Sequence, residues 1–424
     1  MAMVSKQIIN PKQAVILCGG LGTRMMPYTQ ITPKPMILCN EKPFLFYLLK
    51  QLHSQGINRF VLLTGYLSSK IINYFGDGAK WGWKIVYSDG PVEWDTGKRI
   101  WEAKSKLDDR FLLLYSDNFV QFSLKKIFTV HNKNKKAITL MLSSKRQGNV
   151  AISSSGAVKE YNNNRPGNNL DFVEIGYMVV EKDQVFSFYQ SPDCNFSIVL
   201  EKMVASGQVG SMLQHDQYYS ISDPKRWKEA EEYLKFKKII LIDRDGVINK
   251  KAHKGEYVSR WNEFVWKSDT RNAMKTLAKK GFKFIVVSNQ AGISRKMIDL
   301  KDLKKIHVNM TKELLKDGIE ILDIYVCPHH WDANCDCRKP KPGMLYKASA
   351  EWKFRLDKTL FIGDDYRDCQ AAFNSGCKSV FIGKVDELEN LTEDEKPIFT
   401  NKRLTACISN ILEFFNPNIS NDNY

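Results

Sequence analysis

Twice along this chain an apolar strand runs straight into a cluster suited to phosphate, and each time an alternation of strands and helices begins afresh behind it. Ala14-Val15-Ile16-Leu17-Cys18 leads into Gly19-Gly20-Leu21-Gly22-Thr23-Arg24, and Ile239-Ile240-Leu241-Ile242 leads into Asp243-Arg244-Asp245-Gly246. A strand without a polar face must be covered on both sides, which favours a parallel sheet with helices above and below. Behind the first strand, apolar and amphipathic segments alternate over 14–18, 44–55, 60–64, 68–75, 84–88 and 111–116, and a helix is expected from Pro224 to about Lys235. Behind the second come 238–242, 270–280, 284–288, 300–316, 324–327, 343–352 and 359–362. The pattern predicts two doubly wound α/β domains, 1–235 and 236–385, with a tail over 386–424. The halves share an architecture but no motif, so they are not a repeat.

A net charge of +16 could mark a nucleic-acid binder, but Lys and Arg are spread along the whole sequence without a basic arm or helix face. The charge reads as solvated surface that draws in polyphosphates, with no nucleic acid as partner. Residues 1–13 lack the apolar core of a signal peptide, and no apolar run approaches the roughly 20 residues of a membrane helix. A cytoplasmic enzyme with no membrane partner is expected. Nine cysteines, odd in number and mostly scattered, do not make a disulfide scaffold.

Gly-Gly-x-Gly behind a strand lets the backbone approach a polyphosphate and turn its N–H groups on the oxygens. Thr23 and Arg24 follow directly, and Lys34 stands between Pro33 and Pro35, so two cations accompany the cradle of Gly19, Gly20 and Gly22. The run from Gly19 to Thr29, with Pro33-Lys34-Pro35-Met36, resembles the sugar-1-phosphate nucleotidyltransferases and their Rossmann-like fold. The likeness thins towards residue 232. It implies in-line attack of a sugar phosphate on the α-phosphate of a nucleoside triphosphate, with Mg²⁺ and the loop cations stabilising charge. By that resemblance Arg24 and Lys34 contact phosphate, Asp117 binds Mg²⁺, Thr96 and Gly97 lie on the base side, and Glu174 lies on the sugar-binding strand. One departure stands out: Ser220 occupies the place of the family's second metal aspartate. A hydroxyl is a poorer Mg²⁺ ligand. Either Asp223 or Asp216 substitutes, or metal binding leans on Asp117 and the triphosphate, or the half has become a sensing or assembly module.

Asp243 and Asp245 lie two residues apart at the end of a buried strand and so point the same way. Ser288-Asn289-Gln290 and Gly363-Asp364-Asp365 end two further strands, with Lys339 between them in the chain. Side chains at the carboxyl ends of parallel strands converge on one crevice. This order resembles the haloacid dehalogenase phosphatases over about 237–384, without an insertion long enough for a cap domain. The resemblance implies that Asp243 is the nucleophile, Asp245 the acid and then the base, and Ser288 and Lys339 the phosphate holders. Mg²⁺ would bind Asp243, Asp364 and the backbone carbonyl of Asp245, with Asp368 orienting the group.

Between Cys327 and Lys339 three thiols and an imidazole share one short loop, a set suited to tetrahedral Zn²⁺. Cys327, His329, Cys335 and Cys337 are the expected ligands, with His330 as the alternative imidazole. A structural zinc there would pin Arg338 and Lys339 at the mouth of the site. With Asn289-Gln290-Ala291-Gly292-Ile293, the loop resembles the heptose-1,7-bisphosphate phosphatases, and the histidinol-phosphate phosphatases share these elements. Asn289, Gln290 and Arg338 are then the substrate contacts. A heptose bisphosphatase releases heptose 1-phosphate, the kind of acceptor that a sugar-1-phosphate nucleotidyltransferase requires. The combination implies heptose bisphosphate and a nucleoside triphosphate as substrates, with GTP inferred from the GDP-heptose route. The alternative is a histidinol phosphatase joined to a degenerate or differently specific transferase. Assembly as a homo-oligomer is left open.

Overall fold

The computed structural model describes residues 11–163, 170–253 and 255–416. The chain falls into two units divided between Glu231 and Glu232. Among the described residues no helix is long and apolar enough to cross a membrane.

In the first unit the strands are β1 (Gln13–Leu17), a short pair β2 (Leu38–Cys39) and β3 (Lys42–Pro43), β4 (Arg59–Thr64), β5 (Lys84–Asp89), β6 (Arg110–Tyr115), β7 (Asn118–Phe119), β8 (Ile138–Ser144), β9 (Val150–Ile152), β10 (Val158–Tyr161), β11 (Phe172–Glu181), β12 (Val209–Gln214) and β13 (Tyr219–Ser220). Nine of them form one sheet with the path β10-β9-β11-β6-β1-β4-β5, while β8 pairs with β11 and β12 with β8. β6, β1, β4 and β5 are parallel, as the apolar strands led one to expect. Beyond β6 the expectation of a parallel sheet is corrected: β11 runs antiparallel to both β6 and β8. Here β9 and β10 pair antiparallel across the turn at 153–157, a connection too short for the crossover that parallel strands need. The core of this unit gathers Val15, Leu63, Leu113, Leu140, Met178 and Phe196.

The second unit has β14 (Ile239–Ile242), β15 (Lys283–Asn289), β16 (Ile321–Cys327), β17 (Leu360–Gly363), β18 (Lys378–Ile382) and β19 (Phe399–Asn401), in the order β16-β15-β14-β17-β18-β19 with every pair parallel. The two-residue period divides the strands cleanly. Ile240, Ile242, Phe284 and Val286 meet Met274, Leu277, Met310 and Leu314, while Ile239, Leu241, Ile285 and Val287 meet Leu345, Ala348 and Phe354. Each such side chain contributes about 1.5–3 kcal/mol on full burial. After β14 the chain first builds outward through β15 and β16, then returns to add β17 on the other side. The end of β14 is therefore the switch point at which open α/β sheets bind ligands.

Of the stretch 386–424 expected as a tail, the described residues 386–416 pack onto this sheet. β19 pairs with β18, and Leu404, Cys407, Ile411 and Phe415 are buried on the face of Ile240 and Phe284. Its apolar residues are too few for a legible period, yet they cover what would otherwise be an open edge.

Candidate active sites

A cleft of about 650 Å³ opens at the carboxyl ends of β1 and β6, and Gly19, Gly20, Gly22, Thr23, Arg24 and Lys34 all line it. Gly22 has φ 66°, and a Cβ there would press on Lys34 Cβ at 3.0 Å, so only glycine closes the loop over the lysine stem. Lys34 Nζ lies 2.6 Å from Asp117 Oδ2. Ser116 Oγ donates to Leu17 O at 2.6 Å and ties β6 to β1. Beneath the loop, Arg99 is 4% exposed and donates to the carbonyls of Thr64, Gly19 and Pro91 at 2.5, 3.3 and 2.7 Å. Nothing in the local sequence marked this arginine, which braces three loops at once. Thr96 lines the cleft, but its hydroxyl bonds Asn195 Oδ1 at 3.2 Å and accepts from Phe196 N at 3.0 Å. Gly97 follows it where the chain passes close to Cys194, and a Cβ there would strike Cys194 O at 2.4 Å. Glu174 reaches the cleft from β11 and accepts from Gly176 N.

Ser220 stands beside Asp117, because β13 pairs with β7 in the register Ser220↔Asn118 and Ile221 N donates to Asp117 O at 3.0 Å. Neither alternative acid joins it in the cleft wall. Asp223 accepts from Arg226 N and from the Ser222 hydroxyl, and these bonds, the backbone one foremost, hold its carboxyl below the usual range. Asp216 is buried and accepts from Gln217 N. Ser220, Ser222 and Arg226 line the cleft instead.

In the second unit Asp243 N donates to Ile362 O at 2.9 Å, so Asp243 emerges between β14 and β17. Lys339, 3% exposed, places Nζ 2.9 Å from Asp243 Oδ1 and 2.8 Å from Asp368 Oδ1, and donates to Val287 O. Burial opposes its charge, but the two carboxylates outweigh burial and raise its pKa well above the ordinary value. Burial also pushes Asp243 up to about 6, with Asp368 and Asp245 adding repulsion that Lys339 only partly offsets. Asp364 rises to about 6 through burial and the nearby Asp243. Its Oδ2 meets Lys251 Nζ at 3.1 Å, while Oδ1 is buried without a hydrogen-bond partner. Carboxylate oxygens of Asp243, Asp364 and Asp368 lie within 4.8 Å of one another. An orphaned buried oxygen among converging carboxylates fits a hard divalent cation. Asp368 already serves Lys339 and accepts from Asp365 N at the start of the helix Tyr366–Ser375.

Asp245, beside that group, is held in a web of donors. Arg244 Nη2 reaches its Oδ2 at 2.8 Å, Asn249 Nδ2 its Oδ1 at 2.9 Å, and Gln290 Nε2 its Oδ2 at 2.6 Å. Burial would raise this carboxyl, but Arg244 and the hydrogen bonds outweigh it and hold it below the usual range. Arg244 is fully buried and also meets His307 Nε2 at 3.1 Å. Burial, then Arg244, pushes His307 down to about 4, which leaves it a neutral acceptor. The two amides expected as substrate contacts both make internal hydrogen bonds. Gln290 is fully buried and bridges Asp245 to Ser288 Oγ, and Asn289 exchanges hydrogen bonds with the backbone N–H and carbonyl of Lys339. Arg338 keeps a buried Nη1 without a partner.

Cys327, His329, Cys335 and Cys337 bring their ligand atoms together within 4.8 Å. Sulfur–sulfur separations are 3.6 Å for Cys327–Cys335 and 3.4 Å for Cys335–Cys337, and His329 Nδ1 lies 3.7 Å from Cys327 Sγ and 3.1 Å from Cys337 Sγ. With Zn–S near 2.3 Å, a tetrahedron has edges of about 3.8 Å, so the set fits zinc after a small expansion. His330 is outside the cluster, where its Nδ1 accepts from Asp332 N.

The nucleotidyl transferase family model matches residues 13–165, and the polynucleotide kinase 3 phosphatase model matches 238–377. A D-glycero-β-D-manno-heptose-1,7-bisphosphate 7-phosphatase of Neisseria meningitidis is 34% identical over 145 residues, 34% of this chain and 76% of the relative. The D-glycero-α-D-manno-heptose-1,7-bisphosphate 7-phosphatase of Mycobacterium tuberculosis is 34% identical over 154 residues, 34% of this chain and 78% of the relative. Among solved structures, HddC from Yersinia pseudotuberculosis is 21% identical, covering 53% of this chain and 99% of its own, with a TM-score of 0.45. These findings join what the two sites show separately: the chain belongs to the heptose-1,7-bisphosphate 7-phosphatase family and carries that domain behind a nucleotidyltransferase domain, as one bifunctional enzyme.

Proposed function

We propose that this protein removes the 7-phosphate of D-glycero-α-D-manno-heptose 1,7-bisphosphate and transfers GMP from GTP to the resulting heptose 1-phosphate, each activity residing in its own unit, in the cytoplasm. The phosphatase half rests on one observation above all: a buried Lys339 held between Asp243 and Asp368. A phosphate entering there would meet the ammonium, the Ser288 hydroxyl and the free Nη1 of Arg338. Asp243 attacks phosphorus, the bond from phosphorus to the sugar oxygen breaks, and Asp245 gives that oxygen a proton. Water then attacks the aspartyl phosphate, returns a proton to Asp245, and inorganic phosphate leaves. At rest Arg244 and Gln290 favour the ionised Asp245, so the acid form is reached once phosphate charge faces it. Mg²⁺ held by Asp243, Asp364 and the Asp245 carbonyl would draw charge off the phosphate oxygens. Zinc in the cysteine loop would be structural.

In the first unit an acceptor phosphate oxygen attacks the α-phosphorus of the nucleotide and pyrophosphate leaves. The glycine-loop N–H groups, Arg24 and Lys34 neutralise the triphosphate, and Asp117 would hold Mg²⁺. The heptose names of the relatives support the acceptor, and GTP rests on the GDP-heptose route. Comparing phosphate release from heptose 1,7-bisphosphate and from histidinol phosphate tests the substrate. A preference for histidinol phosphate overturns this reading.

A further inference from the structure

We propose that Arg226 and Ser220, with Ser222 bracing the guanidinium, form the corner of the first cleft that binds the phosphate of the sugar 1-phosphate acceptor, and that this corner holds no metal. The proposal rests on the nucleotidyltransferase reading and deepens it.

The corner has the wrong chemistry for a cation. Its cleft-lining side chains are two hydroxyls and a guanidinium, and the two acids close in sequence, Asp216 and Asp223, do not line the cleft. Among the described residues, no group of three metal-ligand side chains falls in this unit. Asp117, one of several carboxylates that line the cleft, stands beside the corner and pairs with Lys34 at 2.6 Å.

It has the right chemistry for a phosphate. Among the described residues the Arg226 guanidinium makes one hydrogen bond, to Ser222 Oγ at 3.3 Å, feels the Asp223 carboxylate without a direct ion pair, and lies 5.3 Å from the centre of the Tyr218 ring. That ring covers one face and leaves the planar fork of donors for a bidentate anion. Ser220 Oγ accepts from Ser222 N at 3.1 Å, so its own proton is free to donate.

Sheet order assigns the phosphate. Along β11-β6-β1-β4-β5, the glycine loop leaves β1 and the Val92–Thr96 wall follows β5, which puts the triphosphate and its base on one flank. Ser220 lies on the other flank, through its pairing with Asn118 after β6, and Asn118 Nδ2 donates to Ile175 O on β11, next to Glu174. A phosphate at Ser220 and Arg226 therefore faces the triphosphate across Asp117, as an in-line acceptor must.

Calorimetric titration of the full chain with heptose 1-phosphate and, separately, with GTP and Mg²⁺ tests this. Arg226→Ala should weaken heptose 1-phosphate about 10- to 100-fold, as loss of a charge-assisted hydrogen bond does, and leave GTP within about twofold. Arg226→Lys should restore part of the loss, which separates binding from misfolding. Ser220→Asp should weaken the acceptor as well and lower turnover. If Arg226→Ala weakens GTP instead, the corner takes the triphosphate, and if Ser220→Asp raises Mg²⁺-dependent turnover, it is a metal site; either result overturns the proposal. Unchanged acceptor binding in Arg226→Ala does so too. A wild-type chain that binds neither ligand would instead remove the transferase reading.

Discussion

Gln290 Nε2 donates to Asp245 Oδ2 at 2.6 Å while also donating to Ser288 Oγ at 2.8 Å, so one buried amide ties the proposed acid–base to the proposed phosphate-holding hydroxyl. Because Ser288 accepts from the amide, its own proton is free for a phosphate oxygen.

Replacing Gln290 with leucine should therefore lower kcat for phosphate release and spare KM. A hydrogen bond to a charged group contributes about 1.5–3 kcal/mol, which corresponds to a drop of roughly 10- to 100-fold. Steady-state kinetics read the split directly. A raised KM at unchanged kcat would make Gln290 a substrate contact.

What the sequence made legible was local. Asp243, Ser288 and Asp364 could be placed because each closes a short apolar run, and strand ends in an open parallel sheet converge. The same logic did not reveal the internal bonds of Asn289 and Gln290, since a polar side chain at a strand end can face a ligand or brace a neighbour. Arg244 with His307, and Arg99 beneath the glycine loop, join segments tens of residues apart. No local period encodes such a pairing. The antiparallel turn of β11 and the late addition of β19 escaped for the same reason.

The cysteine loop should hold a single zinc per chain. Cys335→Ser should lose it on dialysis, and with it much of the phosphatase activity, because Arg338 and Lys339 follow the loop directly. Elemental analysis and thermal melting give the readout. Full retention of zinc by the variant would refute the ligand set.

Asp243 and Asp364 both rise to about 6 from a usual 3.8, chiefly through burial. Groups that bind protons more tightly folded than unfolded stabilise the metal-free protein below about pH 4 and lose that contribution as pH rises through about 6. Mg²⁺ offsets the repulsion of the ionised pair, so it should raise Tm more at pH 8 than at pH 5. An equal shift at both values would place the metal elsewhere.

Asp243→Asn should abolish phosphate release and leave pyrophosphate release from supplied heptose 1-phosphate intact, since nucleophile and glycine loop belong to different units. A folded variant that loses both activities would contradict the assignment of one site to each unit.

The central claim is that the two halves perform consecutive steps on one sugar. The direct measurement supplies D-glycero-α-D-manno-heptose 1,7-bisphosphate with each of GTP, ATP, CTP and UTP and follows phosphate, pyrophosphate and sugar nucleotide by mass spectrometry. The account predicts phosphate first, then pyrophosphate together with GDP-heptose, with the second step alone surviving when Asp243→Asn is given heptose 1-phosphate. Phosphate release without a sugar nucleotide from any of the four, or a preference for UTP or CTP, would contradict it.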